Sequence, residues 1–249
     1  MTLTHVLLLA VAGFAAGAIN SVAGGGSLVS FPALLAIGTP ALTANATNLI
    51  AVTPGYVSGT VGYRPQLAGQ SVRVRRLGAA VMAGSVVGSA ILLLAPASAF
   101  DAVAPFCVLA ACALLVAQPR LARARAAQAG GGEHSPALLL VVFLGGIYGG
   151  YFGAGLGIML LALLAVFVQE DLQRLNALKG VLSLLVSIVA AVLLAVFGPV
   201  DWVACAVIAA GSLVGGRLGV GVARRLPPQI LRYTVAAYGT IVAVVLLVS

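Results

Sequence analysis

Two sets of polar residues stand inside apolar blocks of this chain: Asn45, Thr47 and Asn48 in one, Asn176 and Lys179 in the other. A glycine cluster precedes each set, Gly24, Gly25 and Gly26 in "AINSVAGGGSLVS" and Gly153, Gly155 and Gly157 in "GAGLGIM". Amides, a hydroxyl and one ammonium, with no carboxylate among them, suit the binding of an anion. Glycine adds main-chain N–H groups, because a residue without Cβ reaches positive φ and lets a ligand approach the backbone. A helix that begins at such a break also presents about half a positive charge at its N-terminus. Asn20, Ser21 and Ser27 flank the first cluster and complete the candidate substrate-binding set.

Catalysis fits these residues poorly. Ser27 would act as a nucleophile only with a base in hydrogen-bond reach, and the two histidines, His5 and His134, stand near the N-terminus and in a polar linker. Cys107, Cys112 and Cys205 lie in apolar segments with neither metal-site nor disulfide-framework spacing. Neither an HExxH motif nor a P-loop occurs, so no catalytic residue, metal or cofactor is assigned. Asn45-Ala46-Thr47 matches a glycosylation sequon only formally, inside a hydrophobic block.

The elements that must position these residues are membrane helices. Hydrophobic residues make up 62% of the chain and charged ones 7%, against about a quarter charged in soluble domains. Spans of about 20 residues are expected at 44–62, 75–95, 101–118, 178–197, 201–223 and 229–248, and two longer apolar runs, 4–37 and 137–168, carry the glycine breaks. The net charge of +8 belongs to short loops. It therefore reports membrane orientation, and nucleic acid is excluded as a partner.

The chain repeats itself. "VAGGGSL" (22–28) lies over "GAGLGIM" (153–159) and "NATN" (45–48) over "NALK" (176–179), both displaced by 131 residues. "AGSVVG" (83–88) matches "AGSLVG" (210–215) at 127. The fold expected is an all-α polytopic membrane protein with two repeats, each a glycine-broken helix pair followed by three transmembrane helices. Repeat one covers 1–118, a linker 119–135, and repeat two 136–249.

Loop charge orients the repeats. All 13 basic residues lie in 63–76, 119–135, 169–179 and 216–232, while 38–43, 96–101 and 198–201 have none. Lys and Arg in short loops stay cytoplasmic, and all four basic loops share one face only if each broken stretch returns to the side it entered. The repeats are then inverted, with both termini outside. Segments 137–152 and 155–168 are too short to cross, which favours half-helices meeting inside the membrane. Such a break is tolerated only when buried in protein or lining a wet cavity.

Gly13/Gly17 and Gly145/Gly149 have the four-residue spacing of helix packing, so Gly13→Ala is expected to be milder than Gly25→Leu. Pro54 is expected to kink the span that holds it. Asp101, Asp201, Glu133, Glu170 and Asp171 fall in loops or at span ends, which leaves no mid-span carboxylate relay. The expected partners are a small anion, a co-transported proton carried by the substrate itself, and lipid.

The block "AGFAAGAINSVAGGGSLVSFPALL…ATN", its echo "GGIYGGYFGAGLGIML…NALKG" and the "GPVDW" turn resemble the TauE/SafE-type sulfite exporter family of bacterial membrane proteins, over nearly the whole chain. The resemblance implies a multi-pass inner-membrane permease for sulfur-containing anions such as sulfite or organosulfonates, with small organic carboxylates as the alternative substrate class. Repeat two departs from the pattern at Leu156, which interrupts the glycine run, and has no proline matching Pro32.

Overall fold

A computed structural model describes residues 1–22, 24–126 and 135–222, together with Ala237, Thr240, Ile241 and Val244. The described residues are helical throughout, with no strand. The helices are α1 (Leu3–Val22), α2 (Ser27–Ala36), α3 (Ala41–Ala51), α4 (Thr53–Gly62), α5 (Ser71–Leu94), α6 (Ala97–Ala126), α7 (Pro136–Tyr151), α8 (Leu156–Phe167), α9 (Leu172–Phe197) and α10 (Trp202–Val222). A short 3-10 turn, Arg64–Leu67, joins α4 to α5. The span expected at 229–248 lies largely outside the described residues, and α6 carries helix into the expected linker as far as Ala126.

The outer surface fits lipid. On α1, Leu3, Leu7, Val11 and Phe14 are exposed, and on α9 so are Val192, Val196 and Phe197. A soluble protein rarely exposes continuous apolar faces. Segments Leu3–Ser21, Ser71–Leu94 and Leu172–Phe197 are long and apolar enough to cross a bilayer.

The span expected at 44–62 is two helices with their junction at Val52. Pro54 cannot donate to the Ile50 carbonyl, and the Thr53 hydroxyl donates to the Leu49 carbonyl at 3.1 Å. The helix boundary thus falls two residues before Pro54.

Two helix pairs dominate the packing, α1 with α10 and α5 with α7. In both, glycines four residues apart bring backbone against backbone. Gly13 and Gly17 face the carbonyls of Ile208 and Ser212, while Gly146 and Gly150 face those of Val81 and Ser85. In return, Gly211 and Gly215 face the carbonyls of Ala10 and Phe14, and Gly84 and Gly88 those of Phe143 and Ile147. The contacts correspond at a displacement of 127 from α5 to α10 and 133 from α1 to α7. The α7 counterparts of Gly13 and Gly17 are therefore Gly146 and Gly150. Gly145 and Gly149 turn instead to the side chains of Leu160, Leu156 and Val186.

Both breaks begin with the same cap. The N–H of Gly24 (φ 88°) donates to the Ile19 carbonyl, and that of Gly153 (φ 74°) to the Tyr148 carbonyl, each five residues back. This left-handed closure is one that glycine makes without steric cost. The helices that enter the breaks differ in length: α1 has 20 residues and α7 has 16. At 1.5 Å per residue α1 is about 30 Å long, a full crossing. α1 is thus long enough for a full span, and it continues a turn farther beyond its packing glycines than α7 does. The breaks touch, since a Cβ on Gly24 would stand 2.6 Å from the Gly157 Cα.

Two of the basic segments meet. Arg73 pairs with Glu170 at 2.6 Å, and Arg174 donates to the Ala68 carbonyl at 3.2 Å, joining segments 63–76 and 169–179, where α5 and α9 begin, at one end of the bundle. Val74, Phe167, Val168 and Leu175 pack in one core cluster at that end. Ile37, Ala41, Leu42, Phe100 and Val200, in or beside the loops without basic residues, pack in another.

Candidate functional site

At the basic-loop end, α1, α4 and α9 line a narrow cavity with room for about one water molecule. It is lined by Asn20, Ser21, Asn176 and Lys179, with Tyr56, Thr60 and Tyr63 and the glycines 55, 59 and 180. Asp171 sets the register of α9, its Oδ1 accepting from the N–H groups of Gln173 and Arg174 at 2.8 and 3.1 Å. From that N-cap, Asn176 and Lys179 fall three residues apart on one helix face. The same buried face continues through Ser183, Ser187 and Ala190.

Lys179 is 1% exposed and donates through Nζ to the Asn20 carbonyl at 3.2 Å. Among the described residues no carboxylate pairs with it, and the cavity lining holds no other charged residue. Asn176 donates through Nδ2 to the Ser21 carbonyl at 3.4 Å. Both bonds draw on carbonyls of the last turn of α1, which a helix end leaves without intrahelical partners. Asn20 Oδ1 accepts from the Gly26 N–H at 2.7 Å across the first break. That bond takes up one main-chain donor at the start of α2. Asn20 Nδ2, Thr60 Oγ1 and Asn176 Oδ1 are buried without a hydrogen-bond partner, a costly condition unless a ligand or water answers them.

The other candidates lie elsewhere. Asn45 donates through Nδ2 to the Tyr151 carbonyl at 2.8 Å, at the end of α7, as Asn176 does at the end of α1. Asn48 Oδ1 accepts from the Ser30 hydroxyl at 2.5 Å, and Thr47 Oγ1 accepts from the Asp201 N–H at 3.0 Å. Ser27 is buried in the first turn of α2. Gly24 meets Gly157, Gly25 meets the Ile158 side chain, and Gly26 meets the Ala16 backbone. Gly153 and Gly155 face Leu49 and Ala111. Asn20, Ser21, Asn176 and Lys179 are thus brought together, while both glycine clusters and the asparagines of α3 stand outside the cavity lining.

At the same end of the bundle, Glu170 accepts from Arg73 Nη1 at 2.6 Å and from Arg174 Nε at 2.7 Å. The Arg73 bond above all, with a further contribution from Arg174, holds the Glu170 carboxyl below its ordinary range against a smaller opposing effect of burial.

The sequence profile of the sulfite exporter TauE/SafE family matches residues 9–246. The chain belongs to this family. Among curated proteins it is 28% identical over 222 residues to a probable membrane transporter protein of Haemophilus influenzae, covering 85% of this chain and 82% of that one. It is 28% identical over 223 residues to the probable membrane transporter protein ORF9 of a Sinorhizobium species, covering 86% and 82%. It is also 27% identical over 217 residues to the probable membrane transporter protein YfcA of Escherichia coli K12, covering 86% and 80%. No solved structure matches.

In this TauE/SafE chain, sequence reasoning passes over Tyr56, Thr60 and Tyr63 of the lining. Their signal is the spacing: three residues with hydroxyl groups at i, i+4 and i+7 in the half of a span nearest a basic loop. Gly55 and Gly59 share that half, and Gly59 closes on Ser21, whose hydroxyl donates to the Gly17 and Gly216 carbonyls.

Proposed function

We propose that the chain is a secondary carrier, not an enzyme, that moves a small anion across the bacterial inner membrane by alternating access. A sulfur-containing oxyanion such as sulfite or an organosulfonate is the substrate class that family membership favours. The observation that carries the reading is Lys179: a buried lysine with no carboxylate partner among the described residues, in a cavity lined by amides and hydroxyls. Burying an unpaired charge is expensive, and an anion entering the cavity supplies the missing partner.

Two inverted repeats, 1–118 and 136–249 with 119–135 as cytoplasmic linker, give the carrier its two states. The matching glycine ladders of α1/α10 and α5/α7 support this arrangement, and so does the meeting of the basic segments 63–76 and 169–179 at one end. Inverted-repeat carriers alternate by rocking one bundle against the other about a shared site. Lys179 has Asn48 as its repeat counterpart, so the cytoplasmic approach is the one that attracts anions.

Uptake and efflux in proteoliposomes test the reading, with sulfite, sulfonates and small carboxylates presented with and without a pH gradient. Saturable movement of sulfur oxyanions supports it. Preference for carboxylates moves the assignment to that alternative, and movement of none of them defeats the carrier proposal. A requirement for the pH gradient would identify the proton as the coupled species.

A further inference from the structure

The cavity's hydrogen-bonding groups specify more than negative charge. We infer that it takes a singly charged oxyanion that retains one hydrogen-bond donor, and that Asn176 reads that donor; the inference rests on the carrier reading above. Lys179 offers the N–H groups left over from its bond to Asn20, and Asn20 Nδ2 has no partner. The orientation of the Asn20 amide is fixed, because its Oδ1 accepts from the Gly26 N–H at 2.7 Å. The Asn176 amide is likewise oriented: Nδ2 points to the Ser21 carbonyl, and turning it over would set oxygen against oxygen. Its Oδ1 is therefore an acceptor, buried and unpaired, on a residue that lines the cavity beside Lys179 and Asn20. Thr60 Oγ1, also unpaired, can act either way.

A fully deprotonated oxyanion satisfies the donors and leaves Asn176 Oδ1 facing an acceptor of like partial charge. A protonated oxyanion, such as hydrogensulfite, satisfies both sides. Charge points the same way. One ammonium neutralises one negative charge, and the lining contains no second cation to offset a dianion.

Methanesulfonate and methylphosphonate separate these features, because in mildly acidic buffer both are tetrahedral monoanions of nearly equal size and only the phosphonate carries an O–H. Counterflow uptake of each, and of sulfate as a dianion, is measured in proteoliposomes with the intact chain and with Asn176→Ala. Methylphosphonate should be favoured over methanesulfonate by about tenfold or more, the scale of one buried acceptor satisfied or left unmet. Asn176→Ala should bring that ratio close to one while methanesulfonate uptake persists, and sulfate should be excluded in both proteins. Equal uptake of the two monoanions, a ratio unmoved by Asn176→Ala, or preferred uptake of sulfate would overturn the inference and leave the carrier reading in place. If Asn176→Ala does not insert, the ratio in the unmodified protein decides the matter alone. Failure to move any of these anions, together with the sulfite and carboxylate panel, would defeat the carrier reading and this inference with it.

Discussion

The Lys179 ammonium and the Asn20 carbonyl, 159 positions apart in the chain, meet at 3.2 Å in a buried cavity. This bond ties the end of α1 to the first turns of α9, and it is the contact that an entering anion must share or replace. At about 4 Å, an ammonium attracts an anion by a few kcal/mol at intermediate dielectric.

Lys179→Gln should therefore reduce anion uptake from the cytoplasmic side by about a hundredfold, read as the initial rate at subsaturating substrate. Arg64→Gln, on the exposed turn after α4, should leave it unchanged at matched protein level. Lys179→Met should abolish uptake while thermal stability in detergent stays level or rises, because an unpaired buried charge has been removed. A Lys179→Met protein that keeps full uptake would show the lysine to be only structural.

The lining also predicts a plug. A Cβ at Gly180 would stand 3.7 Å from Thr60 Oγ1, an ordinary contact. Gly180→Val should therefore insert normally, fill the cavity and cut transport by about tenfold or more while costing under about 1 kcal/mol of stability. At Gly59 the same Cβ falls 2.9 Å from Ser21 Oγ. Gly59→Ala should disturb the Ser21 hydroxyl and lower both stability and transport.

Asn176 and Lys179 are legible in the sequence because polar residues in an apolar block are expensive and must answer to something. Asn20 and Ser21 are legible through their place beside a glycine break. The displacement of both breaks away from the cavity is not legible. It depends on α1 running one turn farther past Gly17 than α7 runs past Gly150, and only the helix contacts fix that register. Tyr56, Thr60 and Tyr63 are hidden for a related reason, since only the packing of α4 against α9 and α1 shows which of its faces is enclosed.

The Glu170 cluster carries a pH signature. Its carboxyl is held below the ordinary range, mainly by Arg73, so its stabilising effect is complete above the unfolded carboxyl value of about 4.3. That effect is lost as the pH falls through the lower folded value. Thermal unfolding in detergent should show Glu170→Gln less stable than the unmodified protein at neutral pH, with the gap closing in acid. The swap Arg73→Glu with Glu170→Arg should recover part of the difference. A gap independent of pH would assign the effect to packing.

The glycine contacts rank alanine substitutions at three of these positions. A Cβ at Gly13 would stand 2.5 Å from the Ile208 carbonyl oxygen and 2.9 Å from its Cα. Backbone cannot swing aside, so Gly13→Ala must spread α1 from α10, at a cost of about 1–3 kcal/mol. At Gly25 the nearest atom is the Ile158 Cδ1 at 3.0 Å, the movable end of a side chain. Gly25→Ala should therefore be the milder change. Gly24→Ala should be severe, because φ is 88° and the Gly157 Cα is 2.6 Å away, and the left-handed backbone alone costs about 1–2 kcal/mol. Detergent melting temperatures of the three variants should rank Gly25→Ala nearest the unmodified protein, with Gly13→Ala and Gly24→Ala well below. A Gly13→Ala protein that melts with the unmodified one would mean that α1 and α10 do not pack backbone to backbone.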